Sequence, residues 1–382
     1  MCCAPKTLRL PLDEAAGLTL AEDIVSSADV PAFDRSTMDG YAVIAADTFG
    51  AGQAIPAMLD IAGEVRMGEA AAFELRPGLC ARIPTGGMLP KGADAVVPVE
   101  YTDEETGSLM LCYAAVAPGQ NVTRRGDDVK RYQTVLQKGA VLSPAAVGVL
   151  AAMGVYEASV YAPLKIGVLS TGNEIVPIEQ TPAPGEIRDV NSHLLLSLGR
   201  RWGCACKSYG VIPDEEDALT RALQTACDEN DIVLLSGGSS AGPADKTAEI
   251  TGKLGTVFCH GIAVKPGKPT VLGRVGDTAV FGLPGHPAAC FFTASLLVKA
   301  HLDARTGRSD QTNTVKAKLT EHVSSNHGRA ELLCVKLTPE GAVPVHAKSG
   351  VISVLSAADG YVIIPREAEG IRAGSEVEVI TF

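Results

Sequence analysis

The sequence predicts an α/β plus β fold: several domains, with a doubly wound α/β domain set among smaller β-rich ones. Three observations predict it. The chain has 382 residues, beyond the roughly 250–300 at which a single core stops growing. Residues 163–305 alternate apolar strands with helices, the pattern of a parallel sheet covered on both faces. The stretches on either side read as short strands broken by Gly and Pro turns.

Each segment follows in order. Residues 1–25 read as a short helix from Leu12 to Ile24, and with 137–162 they form an N-terminal helical domain. In 137–162 lies the longest apolar run, Ala145 to Val155. Ser143 as N-cap, Pro144 at the first helical position and Gly154 near the end mark it as a buried helix. It is far short of the ~20 residues of a spanning helix. Residues 26–136 form a β-rich domain, punctuated by PTGG (84–87), LPKGAD (89–94) and APGQN (117–121).

Within 163–305, Lys165 to Leu169 is an apolar strand, and Asn191 is placed to cap the helix that Gly203 closes. A second strand runs from Cys206 to Val211. Asp214 then caps a helix whose first turn holds Glu215, Glu216 and Asp217, favourable at the positive end of the dipole. Asp231 to Ser236 is a third strand, and a helix starts at Asp245. Strands near 269–273 and 278–282 lead to a last helix from Pro287 to about His301. Residues 306–382 return to short strands, a β-barrel-like domain with turns at Gly328, Gly341 and Gly360.

Composition narrows the function. A net charge of −11 and 4% aromatics disfavour nucleic acid and anionic membranes, which need a basic surface or a stacking platform. The ten Cys contain no C-x-x-C, and the start, MCCAPKTLRLPLDE, lacks the apolar core of a signal peptide. Reduced thiols in a cytoplasmic protein are the expectation.

Ligands of a doubly wound sheet bind outside the carboxyl ends of the strands. Three such ends carry Gly-rich loops: Ser170-Thr171-Gly172-Asn173-Glu174, Ser236-Gly237-Gly238-Ser239-Ser240-Ala241-Gly242, and Leu283-Pro284-Gly285-His286-Pro287. Successive N–H groups and hydroxyls in such loops can cradle a phosphate. Lys265-Pro-Gly-Lys268 supplies two ammonium groups on a rigid turn. Glu174, Asp189, Asp214 and Asp245 also fall at strand ends. Asp189 and Asp214 equally read as helix caps, while Asp245 could hold Mg²⁺ against a phosphate. No Ser–His–Asp or Cys–His pattern stands out. His286 is the single His in a site loop, as a general base or, more commonly for such a residue, a loop hydrogen bond. In the first half, Phe33 to Val43 carries more polar groups than a simple hairpin turn requires, and Arg124 to Asp128 is a second dense charged turn that equally reads as a solvated surface loop.

At these residues the chain resembles the molybdopterin molybdenumtransferase family, the MoeA proteins and the gephyrin E domain. The resemblance runs nearly end to end, through FDRSTMDGYAV (33–43), RIPTGGMLPKGADAVVPVE (82–100), GQNVTRRGDDV (119–129), STGNE (170–174), IRDVN (187–191), LSGGSSAGPAD (235–245), VKPGKP (264–269) and GLPGHP (282–287). It implies an elongated homodimer of four-domain chains that inserts molybdate into adenylylated molybdopterin, releasing AMP with a divalent cation, Mg²⁺, assisting. Contact with other cofactor-assembly enzymes belongs to the same expectation.

The family's functional positions fall on Asp39, Thr85, Asp128, Glu174, Asp214, Asp245, Lys265 and Lys268, and Ser349 matches its C-terminal domain. Asp39, Asp128, Glu174 and Asp245 are the expected catalytic residues, with Glu174 and Asp245 the metal ligands. Thr85, Ser170, Thr171, Gly172, Asp214, Ser236, Gly237, Gly238, Lys265, Lys268, Gly285 and Ser349 are the expected substrate contacts. Three departures stand against the pattern. Ser239 and Ala241 replace two Val, His286 stands where Asn or Tyr is usual, and Cys334 lies near a position for a second Arg while Arg329 is kept. They leave open a tungstate-preferring or less active relative. The competing classes are a nucleotide pyrophosphatase, which would lack the β-rich first half, and a non-catalytic scaffold, which would need an added domain or peptide groove.

Overall fold

A computed structural model describes residues 5–237, 243–308, 313–346 and 350–382, with backbone alone for 243–245. Near the N-terminus the expected helix is a single turn, Leu12–Ala15, preceded by a strand, Thr7–Pro11. Gly17 at φ +80° follows directly, a left-handed step that ends the turn. Thr7–Pro11 pairs antiparallel with Glu157–Tyr161. Leu12, Leu20, Leu142, Leu150 and Val160 share one core, so segments far apart in sequence close on each other. The apolar helix, Pro144–Ala152, is capped by Ser143, which accepts from the Ala146 N–H. Only Ala146 and Leu150 of it are buried. The expectation of a buried helix holds for one face: Ala145, Gly148, Ala151 and Ala152 are exposed, small residues that lose little by exposure.

Residues 31–126 hang from this unit on a two-strand stalk, where Ile24–Val25 pairs with Thr134–Leu136 and Val30 bridges Val129. Asp29 fastens it, accepting from the Arg131 N–H at 2.8 Å and the Arg125 guanidinium at 2.7 Å. The hanging unit is a six-stranded mixed sheet around Tyr41, Leu59, Val97 and Met110.

The central sheet comprises β1 (Lys165–Thr171), β2 (Ala205–Ile212), β3 (Ile232–Gly237), β4 (Thr256–His260), β5 (Val271–Val275) and β6 (Thr278–Leu283). Their spatial order is β2-β1-β3-β6-β5-β4. The first four are parallel; β5 runs antiparallel to β6, and β4 antiparallel to β5, so the sheet is mixed at one edge. β3 and β6 are buried throughout, as expected of strands covered on both faces. Helices α1 (Asn191–Arg201), α2 (Glu216–Glu229), α3 (Pro243–Leu254) and α4 (Pro287–Thr293) connect them. One core packs Leu195, Phe281 and Cys290 on one face, and another packs Leu219, Leu223 and Ile250 on the other.

The C-terminal sheet holds β7 (Thr314–Lys318), β8 (Ala330–Thr338), β9 (Gly341–Pro344), β10 (Gly360–Ile364) and β11 (Glu376–Thr381). Its edge is completed from outside: Val264–Lys265, from the loop between β4 and β5, pairs parallel with β8. That loop ties the two units together and carries the two lysines singled out above. No helix among the described residues is long and apolar enough to cross a membrane.

Candidate active site

Strand register brings the three loops to one edge. Ser170 of β1 lies beside Ser236 of β3, which lies beside Leu283 of β6. The ends of those strands therefore lie side by side, where a doubly wound sheet binds its ligand. Beneath them runs a buried polar network. The Ser170 hydroxyl donates to Asp189 Oδ1 at 2.8 Å, and so the Ser192 hydroxyl, 2.8 Å away, donates to Ser170. Asp189 Oδ1 also accepts the Ser192 N–H at 3.1 Å, so Asp189 does cap α1. Asn191 does not: its amide instead donates to Ser236 Oγ at 2.7 Å and to the Gly285 carbonyl at 2.8 Å.

Asp214 does not cap α2 either. Glu215 holds the N-cap position without a side-chain bond. The Asp214 carboxylate pairs at 3.0 Å with Lys246, whose ammonium also donates to the Asp214 carbonyl at 2.9 Å. An ion pair outcompetes a cap for the carboxylate. The Asp214 N–H donates to Asn173 Oδ1 at 3.1 Å, linking this loop to Gly172-Asn173-Glu174. Gly172 has φ +147°, a backbone conformation that L side chains rarely adopt, so Gly is favoured in this loop.

Buried polar atoms without partners are rare and point to function. Among the described residues such atoms include Thr171 Oγ1 at the end of β1, Asp214 Oδ1 after β2 and Asn191 Oδ1 at the start of α1, besides Thr251 Oγ1 within α3. Glu174 and Asp214 offer hard carboxylate oxygens, which suit Mg²⁺. The orphaned Asp214 Oδ1 is a donor atom that such an ion would satisfy. Among the described residues no cluster of three or more His, Cys, Asp or Glu forms a metal site by itself. The Asp245 side chain, Gly238 and Ser349 lie outside the described residues.

A cavity of about 810 Å³ opens between this edge and the C-terminal sheet. Gly237, Gly285 and His286 line one wall, Lys265 and Lys268 the floor, and Arg329, Glu331, Cys334 and His346 the other. Gly267 makes the lysine turn possible: at φ +133°, a Cβ would stand 2.4 Å from the Thr293 methyl. Lys265 and Glu331 are register partners, and their charged groups meet at 2.9 Å. Neither Lys268 nor Arg329 has an ionic partner among the described residues, so three cations against one carboxylate leave two surplus positive charges. Burial pushes the Cys334 thiol up to about 11, which keeps it neutral.

Asp39 and Thr85 lie elsewhere, on the hanging sheet. The Thr85 N–H (2.7 Å) and hydroxyl (2.9 Å) both donate to Asp39 Oδ1. Those two bonds hold the Asp39 carboxyl below its ordinary value. Asp128 is exposed on the neighbouring turn, whose backbone is fixed by Asp34 accepting from the Arg125 N–H at 2.7 Å. Among the described residues that sheet shares no strand pairing with the central or C-terminal sheet, and none of its residues lines the cavity.

Asn191, Lys246 and Glu331 are functional candidates that sequence reasoning missed. The position of Lys246, next to Asp245, was the one local hint. The partners of Asn191 and Glu331 come from register and distant loops.

Residues 2–154 match the family description "MoeA N-terminal region (domain I and II)", 167–304 match "Probable molybdopterin binding domain", and 316–382 match "MoeA C-terminal region (domain IV)". The molybdopterin molybdenumtransferase of Haemophilus influenzae is 32% identical over 99% of this chain and 94% of its own length. That of Bacillus subtilis is 31% identical, over 97% and 88%. The crystal structure of a molybdopterin biosynthesis MoeA protein from Pyrococcus horikoshii superposes with a TM-score of 0.81 at 39% identity, covering 99% of this chain and 95% of that one.

Proposed function

Since this chain belongs to the MoeA family of molybdenum-cofactor biosynthesis, we propose that it inserts molybdate into adenylylated molybdopterin and releases AMP. The protein is a transferase. The observation that carries the finer reading is the juxtaposition of the three strand-end loops with a cavity holding two surplus positive charges. Molybdate is a dianion, and the pterin nucleotide carries a pyrophosphate. Both need positive potential in a protein whose overall charge is −11.

In this reading Lys265, Lys268 and Arg329 hold the oxyanion, and Ser349 joins them as an expected contact. The Thr171 hydroxyl and N–H groups of Gly172, Gly237, Gly238 and Gly285 hold the phosphates, while the expected contacts Ser170 and Ser236, buried with their hydroxyls engaged by Asp189, Ser192 and Asn191, support the loops from below. Glu174, Asp214 and Asp245 would hold Mg²⁺, which when bound offsets phosphate charge and polarises the phosphorus. Breaking the phosphoanhydride depends on positioning and charge stabilisation, with no protein nucleophile required.

Asp39, Thr85 and Asp128 complete the site from the partner subunit of a homodimer. Their sheet lies apart from the cavity within one chain, which supports this arrangement. The deciding experiment is turnover of adenylylated molybdopterin with molybdate or tungstate, following AMP. AMP release dependent on the oxyanion and on Mg²⁺ is expected; release equally fast without oxyanion would make the protein a pyrophosphatase.

A further inference from the structure

One turn of α1 fastens all three strand-end loops. Asp189, Ser192 and Ser170 lock the first loop, as described above. Asn191, 7% exposed, spans the other two. Its amide nitrogen reaches Ser236 Oγ at 2.7 Å and the Gly285 carbonyl at 2.8 Å. A carbonyl oxygen only accepts, so Gly285 decides which end of the amide faces the loops.

We infer that Asn191 is a positioning residue of the nucleotide site, setting the gap between the Ser236 and Gly285 loops. The inference rests on the reading that these loops hold the pterin nucleotide's phosphates. The local pattern suggests a helix cap, yet Val190 occupies that position, and the side chain that accepts the first-turn Ser192 N–H is Asp189. The amide therefore does little for α1 and serves the loops. It supplies two donors to two acceptors across two loops. Asp at this position would face the Gly285 carbonyl with a second acceptor when ionised, and would regain one donor when protonated.

The test is Asn191→Asp, which preserves shape. Burial raises the pKa of a carboxyl, so the variant is ionised at pH 8 and recovers a proton toward pH 6. Other titratable groups near the turn are Asp189 beneath Ser170, Cys290 of α4 in contact with Ser236, His286 beside Gly285 and His193 on the exposed side of α1. All are present in the unaltered protein, which is measured alongside at each pH. Kd for AMP by calorimetry, and KM for adenylylated molybdopterin and for molybdate, are the readouts.

At pH 8 the variant should bind AMP about 10- to 100-fold more weakly. The ratio to the unaltered protein should shrink several-fold at pH 6. KM for the pterin nucleotide should rise in step while KM for molybdate stays within twofold, and Asn191→Ala should be weak at both pH values. A ratio that is flat with pH, or equal rises in both KM values, would overturn the inference, since general loosening gives those results. Should Asn191→Asp unfold at pH 8, Asn191→Ser replaces it: a nucleotide-only rise supports the inference and an equal rise overturns it. If the unaltered protein binds no nucleotide, the functional reading fails separately. Amide exchange at 283–286 then still decides whether Asn191 holds the loop: faster exchange in the variant supports the role, unchanged exchange overturns it.

Discussion

Lys265→Ala should weaken molybdate binding by more than one lost contact, because it also exposes a carboxylate. Lys265 and Glu331 are partners in register across the join between the loop and β8, with 2.9 Å between their charged groups. Glu331, with a side chain 17% exposed, also accepts the Ser325 hydroxyl at 2.7 Å, which holds it in place. Lys268 has no such partner among the described residues, so Lys268→Ala removes one charge-assisted contact, about 1.5–3 kcal/mol or roughly 10- to 150-fold in affinity. Lys265→Ala removes the same contact and leaves Glu331 facing the dianion without its counter-charge, so its loss should exceed that of Lys268→Ala. Glu331→Gln should act in the opposite direction, freeing Lys265 and tightening molybdate several-fold. The double variant Lys265→Ala/Glu331→Gln should recover part of the single-variant loss, a coupling that a mutant cycle measures directly. The assay is KM for molybdate under saturating pterin nucleotide, at two salt concentrations, since exposed charges are screened. Two outcomes would refute the argument: Lys265→Ala and Lys268→Ala both within twofold of the unaltered KM, or Glu331→Gln weakening molybdate.

Other outcomes follow from the same geometry. Asp245→Asn should abolish turnover while AMP affinity stays within about threefold, and full activity at ordinary Mg²⁺ would limit Asp245 to a role at the start of α3. Burial pushes the Cys204 thiol up to about 12 and the Cys206 thiol up as well; Cys204→Ser/Cys206→Ser should therefore keep turnover within about twofold, and loss of activity in the folded variant would contradict this. The two Thr85 donors depress the Asp39 pKa, so their stabilisation is complete above the unfolded value near 3.8 and is lost as pH falls through the lower folded value. The Thr85 turn should thus loosen only below about pH 4, followed by NMR of that segment, and an Asp39-dependent change between pH 5 and 9 would be inconsistent. Light scattering at micromolar concentration should give twice the chain mass, and a monomer would remove the shared-site arrangement.

Much of the fold was open to the sequence because its signals are local. The Ser143 cap, the apolar runs of β1 and β3, and the Gly-rich loops each act within a few residues, and the strand ends that carry the loops are neighbours in the sheet. The failures share a cause. Asn191 and Asp214 both stand before or at a helix start, where the commonest role is a cap. Each is instead held by a group from another loop: Ser236 and Gly285 for one, Lys246 for the other. The Lys265–Glu331 pair joins residues 66 positions apart by strand addition between two units, a pairing with no local trace. The helix expected over Leu12 to Ile24 is one turn because Gly17 takes a left-handed φ and the chain turns into the shared core.

These failures have a direction. A polar residue near a strand end can spend its hydrogen bonds on its own helix or on a neighbouring loop, and local propensity weighs only the first. Where several Gly-rich loops meet on one edge, the second demand is large, because loops with few side chains of their own cannot fix one another. Asn191, Asn173 and Lys246 supply that fixation here, each linking loops that the parallel register has placed side by side. The apparent helix caps beside such loops are therefore the first residues to test for positioning roles, and the Asn191 variants make that test on this chain.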